Sequence, residues 1–256
     1  MLRGFISGFR LQLSFFRNYT DSLIPLVAAP LFAIIFSMVL RHSGRADISG
    51  YSVLAAFYIT LWRFAIFNGG WVIQIEKWDG TINYLVASPP GLAPVVVGRI
   101  STMMLAGGFS FIEMWLFGKY VLHAGVTIHH WYLFLASLVL TLAAMTTTSL
   151  FMANLFVLSR AAVAFSNSLS YPGYLLGGIL VPVPLLPGWL RPVTTVVFLS
   201  WSSRLLQGCL SAAPVPNAGF DLMMLALLGL AALVLGSFML RRTVRRVRLT
   251  GELALQ

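Results

Sequence analysis

Long runs of apolar residues alternate with short polar segments along most of the chain. Because a membrane-spanning helix needs about 20 mostly apolar residues, each long run predicts one transmembrane helix. We expect six such helices, over residues 23–40, 51–75, 94–120, 131–158, 164–181 and 222–240. The predicted fold is an all-α integral membrane protein whose residues 1–256 form a single transmembrane domain.

Residues 182–220, between the fifth and sixth predicted spans, break this pattern with several prolines. Their apolar piece at residues 192–203 would form a helix of only about 18 Å, whereas the hydrocarbon core of a bilayer is about 30 Å thick. Irregular backbone is tolerated at membrane depth only where protein or water surrounds it. We therefore predict a re-entrant or interfacial helix, in an extracellular region that precedes the last span.

The first 20 residues predict a helix that lies along the membrane surface. Apolar side chains recur at helical spacing on one face, at Leu2, Phe5, Ile6, Phe9, Leu13 and Phe16. Arg3, Arg10 and Arg17 are spaced by seven residues and line one edge of that face. An apolar face bordered by arginines is typical of an interfacial helix. The alternative is a simple cytoplasmic extension of the first span.

Composition agrees with a membrane protein and argues against several other classes. Hydrophobic residues make up 59% of the chain and charged residues only 9%, whereas soluble domains have about 25% charged residues. A disordered chain does not have this composition, and neither does a typical soluble enzyme.

The net charge of +10 follows the rule that cytoplasmic segments of membrane proteins are rich in lysine and arginine. With six spans, eleven basic residues lie on the side of both termini and five on the other side, with Arg63 inside the membrane. Both termini are therefore predicted to be cytoplasmic, including a basic tail at residues 241–256. Some attraction to anionic membrane lipid is expected as well, but nucleic acid is not an expected partner.

A polar segment at residues 76–91 separates the second and third predicted spans, on the cytoplasmic side. Trp78, Ile82 and Leu85 have the spacing of one apolar stripe on a helix, and the prolines after Ser88 end any helix there. We predict a short amphipathic helix from Glu76 to Ser88 that is held between two spans. Exposed aromatic side chains on such a helix suit contact with a partner protein. A solvated loop with one helical turn is the alternative.

The order Glu76-x-x-x-Gly80-Thr81-x-x-x-Leu85-x-x-Ser88-Pro89 resembles the cytoplasmic loop of the type-two ABC exporter permeases, which include drug-resistance, nodulation-factor and polysaccharide-export permeases. The N-terminal helix is similar to the connecting helix of that family. The sequence before the last span resembles the family's extracellular re-entrant region, through Gly177, Gly178, Pro182, Pro187 and Trp189. Trp78 departs from the family pattern, which commonly has a charged residue there.

The resemblance implies a permease subunit of an ATP-driven exporter in the cytoplasmic membrane of a prokaryote. A second permease chain, identical or related, would complete the assembly, and the cargo would be an amphiphilic drug, lipid or lipid-linked glycan. A separate ABC ATPase would contact the predicted helix from Glu76 to Ser88, which would be the coupling helix. The contact residues would be Glu76, Trp78, Gly80, Thr81, Leu85, Ser88 and Pro89. Glu76 would pair with a basic residue of the ATPase, and Gly80 would permit close backbone approach.

The chain itself lacks the GxxxxGK[ST] phosphate loop. ATP and magnesium would therefore be bound by the ATPase, and no cofactor is expected in this chain. No catalytic residue is expected either, since a permease performs no chemistry. His123, His129 and His130 share an outer loop without acidic residues, so a metal site is not predicted.

Polar residues within the predicted spans are candidates for the transport pathway. Arg63 and Glu113 lie in consecutive antiparallel spans, and each charge costs about 2.5–3.5 kcal/mol to insert at a helix centre. They form either a structural pair or a polar lining of the pathway. Asn167 and Tyr171 in the fifth span are further candidates for that lining.

Two other function classes stay open at this point. An ATPase-independent small carrier or channel would use the intramembrane charges, but it leaves the cytoplasmic motif without a purpose. A membrane enzyme acting on lipid needs acidic or histidine side chains clustered at one membrane face, whereas the seven acidic residues are scattered along the chain.

Overall fold

The computed structural model describes residues 2–18, 23–42, 50–88, 91–123, 126–159, 161–180, 183 and 186–250. This part of the chain is helical and contains no β-strand, which confirms the all-α fold. Its elements are α1 (Leu2–Asn18), α2 (Ile24–His42), α3 (Gly50–Arg63), a π-helical segment (Phe64–Gly69), α4 (Val72–Trp78), α5 (Ile82–Ala87), α6 (Leu92–Tyr120), α7 (Trp131–Leu158), α8 (Ala162–Leu176), α9 (Arg191–Thr194), α10 (Phe198–Leu210) and α11 (Ala218–Thr250).

Four helical segments within the described residues are long and apolar enough to cross a membrane. They are Gly50–Trp78, Leu92–Tyr120, Trp131–Leu158 and Ala218–Arg245, and they contain the second, third, fourth and last predicted spans. At the first predicted span, Ile24–Val39 is a shorter apolar helix. The chain is thus a multi-pass membrane protein, while the number of six spans stays a prediction.

The fifth predicted span, residues 164–181, differs most from its expected length. The structure has α8 there, whose 15 residues extend about 22 Å and fall short of the hydrocarbon thickness of about 30 Å. The helix ends because Gly178, with a φ of +66°, adopts a left-handed backbone conformation just after the capping residue Gly177. The Ile179 amide then donates to the Tyr174 carbonyl at 3.2 Å, which closes the last turn.

The region between α8 and α11 is built around α10, in which nine of the 13 residues are buried. Ser202 of this helix shares hydrogen bonds with Tyr58 of α3 at 2.6 Å and with Thr141 of α7 at 2.5 Å. Ser203 donates to the Gly177 carbonyl at 2.7 Å. These hydrogen bonds hold α10 inside the bundle, although this helix has only 13 residues and is about 20 Å long. The apolar piece predicted at residues 192–203 is divided between α9 and α10, and its re-entrant path through the membrane stays a prediction.

The second predicted span contains the π-helical segment, which the sequence pattern does not reveal. The Ala65 carbonyl accepts from both the Gly70 amide and the Ser149 hydroxyl of α7, each at 2.8 Å. Another hydroxyl of α7, on Thr147, donates to the Gly229 carbonyl of α11 at 3.0 Å. The polar side of α7 therefore joins neighbouring helices, as hydroxyls commonly do in membrane bundles.

The last helix, α11, extends well beyond residues 222–240 and ends at Thr250. Residues 241–250 contain neither glycine nor proline, so nothing in this part of the predicted basic tail stops the helix. The Thr243 hydroxyl donates to the Asn154 side chain of α7 at 3.1 Å and fixes this extension. The C-terminal half of α11, α1, the start of α6 and α5 thus share one end of the bundle, which we call the basic end.

The N-terminal helix, α1, packs against α6 through its smallest residues. The buried residues of α1 are Gly4, Gly8 and Gln12. Gly98 of α6 lies directly against the Phe5 carbonyl, with no room for a Cβ atom. Close backbone approach between small residues is a common way for membrane helices to associate.

The predicted apolar face of α1 is only partly covered. Leu2, Ile6 and Leu13 of this face are exposed, as is Leu11, whereas Phe5, Phe9 and Phe16 are half-buried. Arg3, Arg10 and Arg17 are exposed as well. This pattern suits a helix at a membrane surface. The interfacial position itself stays a prediction.

We predict that Gly98→Ala displaces α1 from α6. The added Cβ overlaps the Phe5 carbonyl oxygen, and overpacking of this kind costs about 1–3 kcal/mol. Hydrogen exchange of the α1 amides in the purified chain should therefore become about tenfold faster. Gly219→Ala in α11 is the matched control, because a Cβ there meets no atom within 4 Å. Equal exchange in both variants would contradict the packing role.

Candidate functional site

The α4–α5 turn (residues 76–88) is built around Glu76, whose side chain is buried. One carboxylate oxygen forms an ion pair with Arg99 of α6. The other oxygen accepts a hydrogen bond from the Thr81 hydroxyl. Both oxygens are therefore engaged within the chain, which differs from the expectation that Glu76 would be free to pair with a basic residue of an ATPase.

Arg99 connects this turn to a third helix. The residue is only 2% exposed, and its Nε donates to the Gln12 side-chain oxygen of α1 at 3.0 Å. Its guanidinium carbon lies 5.6 Å from the ring centroid of Phe15, also on α1. Helices α1, α4 and α6 therefore meet at one buried, charged and hydrogen-bonded group.

Gly80 ends the last turn of α4 and directs the chain toward α5. Its φ is +69°, a conformation that glycine adopts without the steric cost paid by other residues. Its amide donates to the Lys77 carbonyl at 3.2 Å, and the Thr81 amide donates to the Glu76 carbonyl at 3.0 Å. These two bonds form a Schellman motif, which satisfies carbonyls left free at a helix end. A Cβ on Gly80 would meet no atom within 4 Å, so the residue serves this turn and not a close approach within the chain.

The continuous helix predicted from Glu76 to Ser88 is therefore wrong. Residues up to Trp78 complete α4, and α5 begins only at Ile82. Ile82 is buried and Leu85 half-buried, but Trp78 is 64% exposed. The three side chains do not form one stripe, because the Gly80 turn changes the chain direction between Trp78 and Ile82.

Two aromatic side chains project from the α4–α5 turn. Trp78 rests with one side on Trp71, at 5.3 Å between ring centroids, and is otherwise open to a partner. Tyr84 is 80% exposed. The sequence predicts exposed aromatic side chains on this segment, although Tyr84 is not among the coupling residues that the family resemblance implies; residues 83, 84 and 87 fall opposite Ile82 and Leu85 on a helix.

Both ends of α5 are fixed locally. The Leu85 amide donates to the Thr81 carbonyl at 3.1 Å in its first turn. The Ser88 hydroxyl donates to the Leu85 carbonyl at 2.7 Å in its last. Pro89, which the sequence analysis included in the motif, lies outside the described residues.

Arg63 and Glu113 do not form the ion pair that was one of the two alternatives for them. Phe57 contacts Phe111 edge-to-face, with 5.6 Å between ring centroids, a register that places Glu113 level with Ala55. Arg63 is eight residues further along α3, or about 12 Å. Its guanidinium carbon lies 5.6 Å from the ring centroid of Phe67, and its buried Nε has no hydrogen-bond partner among the described residues.

Asn167 and Tyr171 lie on the exposed side of α8, one helical turn apart. Tyr171 is 77% exposed. α8 packs against α3 beside Arg63, which interacts electrostatically with Tyr174 of α8. Three of the four residues predicted for a pathway thus lie along the α3–α8 edge of the bundle.

One of the residues predicted for the re-entrant region borders a cavity of about 600 Å³. Gly178 lines it, and its carbonyl accepts a hydrogen bond from the Gln207 amide at 3.4 Å. Arg191 and Arg204 line the same cavity, and Arg204 is ion-paired with Asp221 of α11 at 3.7 Å. Two arginines thus lie in the wall of a cavity that also has apolar and hydroxyl-bearing side chains.

The remaining residues of that predicted region are peripheral. Trp189 is 75% exposed, and the Pro187 carbonyl accepts from the Leu190 amide at 2.9 Å in a tight turn. Pro182 lies outside the described residues.

His129 and His130 bond through their rings to the carbonyls of Leu210 and Ala213, at 3.0 and 3.1 Å.

The family model of the ABC-2 type transporter matches residues 5–211, which extend from α1 to the end of α10. No protein of curated function matches the chain. The matched part contains the Glu76–Arg99 pair, the α4–α5 turn and the helix α1 that packs against them. Permeases of this family generally work with an ABC ATPase. The chain belongs to the ABC-2 type transporter family and is a membrane permease subunit of an ABC transporter.

Proposed function

We propose that this permease is the transmembrane part of an ATP-driven exporter in the cytoplasmic membrane of a prokaryote. Its cargo is an amphiphilic molecule: a drug, as in multidrug efflux, a lipid, or a lipid-linked glycan. A separate ABC ATPase binds the α4–α5 turn and drives the permease. The observation that carries this proposal is the pair of exposed aromatic residues, Trp78 and Tyr84, on a turn that is tied into the bundle at Glu76.

The α4–α5 turn has the two properties that a docking site for an ATPase needs. Large exposed aromatic side chains are the residues that most often dominate the energy of protein interfaces. The turn is also stiff, because the Schellman motif and the Thr81 hydroxyl fix it at Glu76. A displacement of Trp78 by the ATPase is therefore transmitted to the bundle and is not lost in a flexible loop.

Force from the ATPase passes through the buried ion pair to two other helices. Glu76 ends α4, Arg99 lies in α6, and Gln12 lies in α1. Because these three side chains bond directly, a shift of the turn moves α6 and α1 together as a rigid body. In this proposal α1 serves as the connecting helix beside the ATPase.

The orientation follows from the charges at the basic end. Arg3, Arg10, Arg17, Lys77 and the arginines of α11 are at that end, where a cytoplasmic position accords with the distribution of positive charge in membrane proteins. Both termini are then cytoplasmic. ATP and magnesium bind to the ATPase, since this sequence has no phosphate loop of its own.

A second permease chain, identical or related, completes the exporter along the exposed side of α8. Asn167 and Tyr171 offer a polar and an aromatic contact there, and Arg63 lies nearby with an unpartnered Nε. Such a surface suits the headgroup of an amphiphile that passes between two permeases. Glu113, about 12 Å away along the helix, does not belong to this group.

We predict that Trp78→Ala and Tyr84→Ala each weaken binding of the ATPase by about tenfold or more, because truncated aromatic anchors cost about 2 kcal/mol at interfaces. The measurement is the affinity of the purified ATPase for the permease in nanodiscs. Tyr132→Ala is the matched control, since Tyr132 is 94% exposed but begins α7 at the opposite end of the bundle. Its affinity should be unchanged.

Two results would contradict the docking proposal. One is an equal loss of affinity in Tyr132→Ala and Tyr84→Ala. The other is transport by the permease alone, with no ATPase bound to wild-type protein from its own cells. The second result would favour an ATPase-independent carrier or channel.

We predict that Glu76→Gln destabilises the permease by about 3–5 kcal/mol, because it leaves the buried Arg99 charge without its counter-charge. Thermal unfolding of the detergent-purified chain measures this. Asp79→Asn removes an exposed acid of the same turn that attracts Arg99 less strongly than Glu76 does, so the loss of stability should be much smaller. The double variant Glu76→Leu with Arg99→Met should recover stability but lose ATP-coupled transport. Coupled transport in that double variant would show that the ion pair does not transmit force.

A further inference from the structure

A groove of about 670 Å³ lies at the basic end, between α1, α6, α7 and α11. Its walls are largely apolar and include Leu2 and Phe5 of α1, Leu150 of α7 and Leu233 of α11. Two arginines of α11, Arg241 and Arg245, stand at one end of it. A groove that is apolar along its length and positively charged at one end is complementary in polarity to a lipid, which has apolar chains and a polar headgroup.

The two arginines form a paired cationic site. They are four residues apart and so lie on the same face of α11. Both are exposed, and within the described part of the chain neither has an ion-pair partner. No acidic residue lines the groove. The charge that complements this mouth is therefore an anion.

The dimensions of the groove correspond to one leaflet of a bilayer. Leu233 is eight residues before Arg241 and twelve before Arg245, or about 12 and 18 Å along the helix. Half of a hydrocarbon core of about 30 Å is about 15 Å. Arg241 also directly follows the apolar stretch of α11, at the depth where lipid headgroups begin. The apolar part of the groove is thus bordered by membrane, where lipid is the surrounding medium.

We propose that this groove binds one anionic phospholipid of the leaflet at the basic end. Its phosphate lies between Arg241 and Arg245, and one acyl chain runs along α11 to Leu233. Basic pockets between membrane helices on the cytoplasmic side are known to take such headgroups. The bound lipid is a resident ligand and not cargo, because the groove lies within one chain and away from the exposed side of α8. The proposal does not depend on the transport proposal.

The lipid would fasten α1 to α11 at a point where no described hydrogen bond joins them. Leu2 and Phe5 are on α1, and the opposite wall is on α11. Because α1 is also bonded to Arg99 through Gln12, occupancy of the groove steadies the same group of helices that meets the α4–α5 turn. Anionic lipid should therefore slow hydrogen exchange in α1.

The test uses the full chain in detergent, with added phosphatidylglycerol or phosphatidylcholine, and native mass spectrometry to count bound lipid. Wild type should retain one phosphatidylglycerol per chain and bind phosphatidylcholine much more weakly. Arg241→Gln with Arg245→Gln should weaken phosphatidylglycerol binding by about 30-fold, since each arginine near a membrane surface contributes about a factor of five. Arg242→Gln is the matched control, because Arg242 packs on Phe238, at 4.5 Å from its ring centroid, and does not line the groove.

A second variant tests the groove and leaves both arginines in place. Ser237 lines the apolar part, so Ser237→Trp should fill it and abolish retention of phosphatidylglycerol. Glycerol 3-phosphate, which has the anionic head without the chains, should not compete at equal concentration. The Ser237→Trp variant and the competition experiment still test the proposal if the double arginine variant does not fold.

Several outcomes would overturn the proposal. Equal retention of both lipids removes the role of the anionic head. An equal loss in Arg242→Gln shows diffuse attraction to the basic helix and no defined site. Full binding in Ser237→Trp, or competition by glycerol 3-phosphate, shows that the groove is not used. Loss of the lipid when the ATPase assembles on the wild-type chain assigns the groove to a protein contact. None of these measurements requires transport activity, so their failure is distinct from failure of the export proposal.

Discussion

The arrangement of this permease depends on a single buried ion pair, between Glu76 at the end of α4 and Arg99 in α6. A charge in an apolar interior is costly unless it is both paired and hydrogen-bonded. Here Thr81 satisfies the second carboxylate oxygen, and Gln12 satisfies the guanidinium Nε. The cost of burial is thus offset only when α1, α4 and α6 are all in place. That requirement specifies how the three helices meet.

The ion pair also separates two roles within the α4–α5 turn. Glu76, Gly80 and Thr81, the residues most evident in the sequence motif, make the turn, and the Glu76 side chain faces inward. Trp78 and Tyr84 face outward and are available to a partner. A motif that resembles a coupling loop therefore owes its spacing to the geometry of a helix end. In the proposed docking, the contacts with the ATPase come from the exposed residues between and after the motif positions.

The sequence predicts the long helices well, because an apolar run long enough to cross a membrane forms few structures other than a helix. Helix α7 matches residues 131–158 at both ends. It does not reveal where helices are interrupted, because Gly80 and Gly178 act through backbone angles that composition does not encode. It also leaves an Arg63–Glu113 pair as one of two alternatives and does not pair Glu76 with Arg99. Arg63 and Glu113 sit in adjacent spans but out of register, whereas Arg99 and Glu76 lie near the basic ends of theirs. Distance from the helix end was the usable signal.

The two ends of the bundle are held by interactions of different strength, so helix movement costs less free energy at one end than at the other. At the basic end, separating α1, α4 and α6 breaks a buried ion pair, at a cost of about 3–5 kcal/mol. Around α10, the contacts of Ser202 and Ser203 are neutral hydrogen bonds, which average about 0.6 kcal/mol each within membrane bundles. Hydroxyls can also exchange partners as helices slide. In the proposed mechanism, a push on the α4–α5 turn therefore moves the basic end as one piece, and the rearrangement falls on α8 and α10, beside the cavity lined by Arg191 and Arg204.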